Sequence, residues 1–144
     1  MRRLFGVLAL TGAVVSTIAC GGTSTSPTPG GTVTVPQPFT QTISGSVGVF
    51  GTTRHSLSVP RSGSMVVRLT WSDGAVDLDL YLAPTSCTSL YPFSACGILA
   101  TSDAATGTSE QVSRSVNANE SFNLYVDNLD TSRSQSYTLS ISVQ

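Results

Sequence analysis

Lysine is absent from this sequence, and positive charge rests on seven arginines against eight carboxylates. Two of the seven, Arg2 and Arg3, open the chain, so the remainder has five against eight, formally −3. No basic stripe of the kind that neutralises phosphates is present, and a nucleic-acid surface is excluded. Histidine is nearly absent too. The single His55 lies far from Cys87 and Cys96, and without a second Cys or His pair a zinc site lacks donors. There is no Gly-rich phosphate loop and no nucleophile elbow. His55 has no obvious Ser and Asp partners for a Ser-His-Asp constellation, and its adjacency to Ser56 means little because neighbours on a strand point apart. Helical periodicity is missing beyond about residue 41, and no internal repeat is found.

What is present begins with an export signal. Arg2 and Arg3 precede an apolar stretch over residues 4–19 and then Cys20, the layout of a positive n-region, an apolar core and a small-residue cleavage point. That stretch is marginal for a permanent span, which takes roughly 20 residues, and no positive cluster follows it. Thr17-Ile18-Ala19-Cys20 resembles the bacterial lipobox, with Thr17 where leucine is usual. The resemblance implies cleavage after Ala19, lipid attachment at Cys20 and anchoring in a membrane. Gly21 and Gly22 replace the aspartate that favours inner-membrane retention, so the expected location is the outer membrane or cell surface, its periplasmic face included. Residues 20–40 are dominated by Ser, Thr, Pro and Gly and bury too little apolar surface to offset chain entropy; a flexible tether is expected.

Residues 41–144 change to a period of two. Met65, Val67, Leu69 and Trp71 alternate with Ser64, Val66, Arg68 and Thr70. The same alternation marks Leu78, Leu80 and Leu82, then Phe122, Leu124 and Val126, then Tyr137, Leu139, Ile141 and Val143. Weaker candidates cover residues 43–50, 55–59, 97–101 and 111–116, each bounded by Gly, Ser, Asn or Asp. About eight short strands without a helix to cover them must bury one face each against another sheet. The expected fold is all-β: one antiparallel two-sheet β-sandwich.

Assigning Cys20 to lipid leaves Cys87 and Cys96. An even pair at short separation in an oxidising compartment reads as a disulfide stapling a loop, with a stabilisation of about 2 to 3 kcal/mol on the chain-entropy model.

Trp71-Ser72-Asp73-Gly74-Ala75-Val76-Asp77-Leu78-Asp79-Leu80-Tyr81-Leu82 resembles the signature strand pair of bacterial pre-peptidase C-terminal domains. Phe122-Asn123-Leu124-Tyr125-Val126-Asp127-Asn128 and Tyr137-Thr138-Leu139-Ser140-Ile141 are similar to that family's last two strands, in the same order. Two departures are Asn119-Glu120-Ser121 where glycine is usual before Phe122, and the Cys87 to Cys96 segment. The resemblance implies a jelly-roll-like sandwich without catalytic activity; some members bind extracellular matrix or polysaccharide, and similar domains of clostridial collagenases bind calcium and collagen.

Asp77 and Asp79 sit two apart on a strand, their carboxylates about 6 to 7 Å apart on one face. Glycoside hydrolysis needs two carboxyl groups flanking a cleft from opposite sides, which strand neighbours do not provide. A calcium ion wants six to eight oxygens, and Asp73, Asp77, Asp79, Asp127 and Asn128 are the candidate donors if their strands are adjacent. The plain alternative is that Asp77 and Asp79 hydrate an outer face or hydrogen-bond a nearby turn. Tyr81, Tyr125 and Asn123 share the outward phase, which suggests an exposed platform for a sugar or peptide, or cross-strand partners covering the sheet. Tyr91 and Phe93, between the two cysteines, form a second candidate patch. The expected function is a membrane-anchored, non-catalytic binding module for an envelope or extracellular polysaccharide or protein; the alternative is a structural envelope lipoprotein with a calcium-stabilised sandwich and no dedicated ligand, and behind it a small hydrolase.

Overall fold

In the computed structural model the described residues are 37–144. The export signal, Cys20 and nearly all of the expected tether lie outside them.

Eight strands form two four-stranded antiparallel sheets: β1 Phe39–Val47, β2 Thr52–Ser58, β3 Gly63–Trp71, β4 Leu78–Pro84, β5 Ala100–Ser102, β6 Ser109–Val116, β7 Ser121–Asn128 and β8 Gln135–Val143. A single helical turn, α1 Phe93–Cys96, lies between β4 and β5. The first sheet has the order β1-β8-β3-β6 and the second β2-β7-β4-β5. Successive strands from β1 to β4 alternate between sheets, as do β5 to β8, which is the jelly-roll winding. All eight expected strands are present, shifted by a few residues at their ends. β1 starts at Phe39, ahead of the boundary expected at residue 41, and β4 starts at Leu78 because Val76 belongs to the preceding turn.

The alternation read from the sequence is the core. Met65, Val67, Leu69, Leu139, Ile141 and Val143 of the first sheet meet Leu78, Leu80, Leu82, Phe122, Leu124 and Val126 of the second, all buried. Each such side chain contributes on the order of 1.5 to 3 kcal/mol through apolar burial. Trp71 closes one end of this core, and its indole N–H donates to the Val76 carbonyl at 2.9 Å, pinning the β3–β4 turn. His55 bridges the two sheets: its Nε2 is 2.6 Å from the Tyr137 hydroxyl, and burial holds its pKa below the usual value. Gly45 is paired with Tyr137, and a Cβ there would stand 2.7 Å from the tyrosine oxygen, so the ring needs a glycine beside it.

The second sheet departs from simple alternation. Nearly every residue of β4 and β7 is buried, on both faces. Its outer face is roofed by the β4–β5 connection, which Cys87 and Cys96 close as a disulfide with 4.7 Å between their Cα atoms. Leu90, Cys87 and Cys96 pack on Tyr81, Ala83 and Tyr125 as a second small core.

Candidate functional site

This roof relocates the residues expected to bind. Tyr81, Tyr125 and Asn123 do point away from the main core, but they are buried and form no exposed platform. The Tyr125 hydroxyl and the Asn123 amide both donate to the Cys87 carbonyl, each at 2.7 Å, and so hold the loop down. An outward phase exposes a side chain only where nothing covers the sheet, and a disulfide loop covers this one. Two outward tyrosines and Ala83, beside a pair of cysteines, were the sequence signals of a covered face.

The acids are equally displaced from their expected roles. Asp79 and Asp127 are direct cross-strand partners and both are buried, so Asp79 does not hydrate an outer face. The five candidate calcium donors are not gathered on one point. Asp73 receives the Arg133 guanidinium at 3.2 Å and the Ala75 N–H at 2.9 Å. The Asn128 side chain is committed to the Gly48 and Arg133 carbonyls and the Asp130 N–H. Among the described residues no three Asp, Glu, His or Cys side chains are arranged to hold a metal ion.

What the fold does assemble is a cleft of about 320 Å³ at one end of the sandwich, lined by Phe50, Thr52, Tyr91, Asp127, Asn128 and Leu129. Three connections build it. The β1–β2 turn presents Phe50, which is 72% exposed although its φ is +44°; its N–H donates to the Asp130 carbonyl at 2.8 Å. A bulky residue in the left-handed region is uncommon and disfavoured by about 1 to 2 kcal/mol. The disulfide loop contributes Tyr91, 48% exposed, whose ring centroid lies 4.7 Å from that of Phe93; Phe93 in turn lies 5.2 Å from Tyr81. Leu129 comes from the β7–β8 connection.

The five exposed large apolar residues among those described are Val49, Phe50, Tyr91, Phe93 and Leu129, all from these three connections. Of the residues lining the cleft, the sequence singled out Tyr91 as a patch residue and Asp127 and Asn128 as calcium donors, and passed over Phe50, Thr52 and Leu129; Phe93 lies beside the cleft. The available signal was the apolar Val49-Phe50 pair set between Gly48 and Gly51, where a strand reading had absorbed it.

The floor of the cleft is polar. Thr52 and Tyr91 donate their hydroxyls to the two oxygens of Asp127. Next to Asp127, Asp79 accepts the Tyr81 hydroxyl at 2.9 Å on Oδ2, while its Oδ1 and that of Asp77 are buried without a partner. Burial pushes the Asp79 carboxyl up to about 6, the Tyr81 hydroxyl opposing and Asp77, Asp127 and Asp103 adding to the rise. Burial and then Asp103 raise Asp77. A larger and more open hollow of about 490 Å³ lies on the first sheet, lined by Ser44, Gly45, Thr70, Trp71, Ser72, Ser136, Tyr137 and Thr138, but Trp71 and Tyr137 are buried there and no acid lines it. The rest of the outer face of β1 and β8 carries Thr40, Thr42, Ser140 and Ser142.

The class of protein is thus an all-β jelly-roll sandwich with an aromatic-walled, acid-floored cleft at one end. No family model and no curated protein sequence matches the chain. Solved structures share its fold. A periplasmic inhibitor of g-type lysozyme from Aeromonas hydrophila superposes with a TM-score of 0.55 at 14% identity, over 73% of this chain and 86% of its own. The pre-peptidase C-terminal domain of a Bacillus anthracis collagenase gives 0.53 at 20% identity, over 70% and 87%. The Yersinia pseudotuberculosis-derived mitogen gives 0.54 at 15%, over 75% and 88%. The fold implied by the pre-peptidase resemblance is therefore the fold observed.

Proposed function

We propose that this protein is a lipid-anchored, non-catalytic binding module of the bacterial cell envelope that engages a partner through the end cleft. The carrying observation is the gathering of the exposed large apolar side chains on the three connections around that cleft. Such patches on otherwise polar surfaces mark interaction sites. A backbone strained to present an aromatic side chain to solvent supports the same reading. The lipobox-like Thr17-Ile18-Ala19-Cys20 supports the anchor, and Gly21 and Gly22 in place of a retention aspartate support a location at the outer membrane or cell surface. Membership of the pre-peptidase C-terminal family is part of the proposal, resting on the three matched strand blocks and the shared fold. Among similarly folded proteins, one is described as a lysozyme inhibitor, which fits a protein-binding role for such a sandwich.

Two measurements test this. A clickable palmitate analogue should label the full-length protein in cells and not its Cys20→Ser variant. The full-length lipoprotein should bind a component of an envelope polysaccharide array or of immobilised outer-membrane proteins, and Phe50→Ser with Tyr91→Ser should weaken that binding. Equal binding by wild type and double variant, or none by either, refutes the cleft as the site.

A further inference from the structure

The walls and the floor of the cleft have opposite character, and together they specify one kind of guest. We propose that the cleft receives an arginine side chain from a basic protein partner. This deepens the binding reading above and rests on it.

The floor supplies uncompensated negative charge. The donors that reach Asp127 are hydroxyls of Thr52 and Tyr91, which satisfy two lone pairs and cancel no charge. Among the described residues both ion pairs use Arg133, and they end on Asp73 and Asp130. Asp127, the one acid that lines the cleft, is left without a cation, and so are Asp79 across from it and Asp77 near Asp79. Asp79, 3% exposed and directly opposite Asp127, holds an oxygen with no hydrogen-bond partner, and so does Asp77. Buried acceptors without donors are rare and costly, and an approaching cation relieves their mutual repulsion.

The walls select the cation. Phe50 and Tyr91 offer aromatic rings beside the acid, and Leu129 is aliphatic. A planar guanidinium stacks on such rings while it pairs with a carboxylate, and it sheds water more readily than an ammonium. The volume, at the small end of the roughly 300 to 1,000 Å³ usual for ligand pockets, suits one side chain better than an oligosaccharide. The exposed Val49 and Phe93 do not line the cleft, and they suit the apolar surroundings of an anchor at a protein interface.

The test uses the full-length, isotope-labelled protein and amide chemical shifts. The probes are acetyl-Gly-Arg-Gly-amide, its lysine and citrulline counterparts, and a neutral oligosaccharide. The arginine peptide should shift the amides of residues 50, 52, 91 and 129, and bind more tightly than the lysine peptide. Citrulline keeps the shape and loses the charge, so it should bind about tenfold more weakly. Asp127→Asn, checked for an unchanged fold by its remaining amide shifts, should erase the arginine preference. A citrulline peptide that binds equally, shifts confined to another surface, or no shift with the arginine peptide overturns the proposal. If the oligosaccharide alone moves the cleft amides, or if Phe50-dependent binding to an envelope component persists without arginine preference, the ligand class falls and the cleft stands. Loss of both removes the cleft as well.

Discussion

Asp79→Asn is expected to stabilise this protein at neutral pH. Asp79 is buried with one oxygen unpartnered, and its carboxyl is raised from 3.8 to about 6. A carboxyl whose pKa is higher folded than unfolded binds its proton more tightly in the folded state. Its contribution is therefore most favourable below about pH 4, declines as pH rises through the window from about 4 to about 6, and is constant above it. A shift of about two units, at 1.36 kcal/mol per unit, corresponds to roughly 3 kcal/mol of stability lost across that window. Asparagine keeps a carbonyl to accept the Tyr81 hydroxyl and places an amide donor beside Asp77 and Asp127. The variant should gain on the order of 2 to 3 kcal/mol over wild type at pH 7 and nothing at pH 4. Denaturant unfolding of both proteins at half-unit steps from pH 4 to pH 8 measures the difference. Asp77 is raised in the same direction, so a residual slope should remain in the variant. If Asp79→Asn is neutral or destabilising at pH 7, or the difference does not grow between pH 4 and pH 6, the carboxylate has a stabilising partner and this reasoning is wrong.

Phe50→Gly should raise stability by about 0.5 to 1 kcal/mol, because glycine adopts a positive φ freely, and should weaken partner binding; thermal melts and the cleft binding assay separate the two effects. Cys87→Ser with Cys96→Ser should cost about 2 to 3 kcal/mol in denaturant titration, and hydrogen exchange should report new exposure at Tyr81 and Tyr125. Gly45→Ala should destabilise by about 1 to 3 kcal/mol in denaturant titration, since its methyl meets the Tyr137 ring that also holds His55; Tyr137→Phe should not rescue it, because a ring carbon stays 2.8 Å from the methyl and the His55 hydrogen bond is lost.

Local pattern in this chain was sufficient for the main core. Strict alternation at Met65 to Trp71, Leu78 to Leu82, Phe122 to Val126 and Tyr137 to Val143 states which side chains must meet, because a strand exposes its two faces with a period of two. The short separation of Cys87 and Cys96 likewise announced their bond. The same rule placed Tyr81, Tyr125 and Asn123 on the outward phase correctly, with Tyr81 and Tyr125 as cross-strand partners, but it could not tell an exposed platform from a covered one. Period two separates one face from the other and is silent on whether a loop lies over the second. That was decided by the β4–β5 connection, whose Leu90 and disulfide find their apolar surface on Tyr81, Ala83 and Tyr125.

The cleft shows the same division. Strand existence, the in-and-out phase and the staple follow from the sequence itself, since each depends on residues adjacent or nearly adjacent along the chain. The meeting of Phe50, Tyr91 and Leu129 over Asp127 depends on the jelly-roll winding, which sets the β1–β2 and β7–β8 connections at one end of the sandwich, and on the β4–β5 loop, which leaves β4 at the opposite end and folds back over the outer face to bring Tyr91 to Asp127. The burial of Asp79 beside Asp127 depends on the register of β4 against β7 together with the loop that roofs them. Charges so placed share a poorly solvated space because of long-range packing, a relation that no local spacing along the chain encodes.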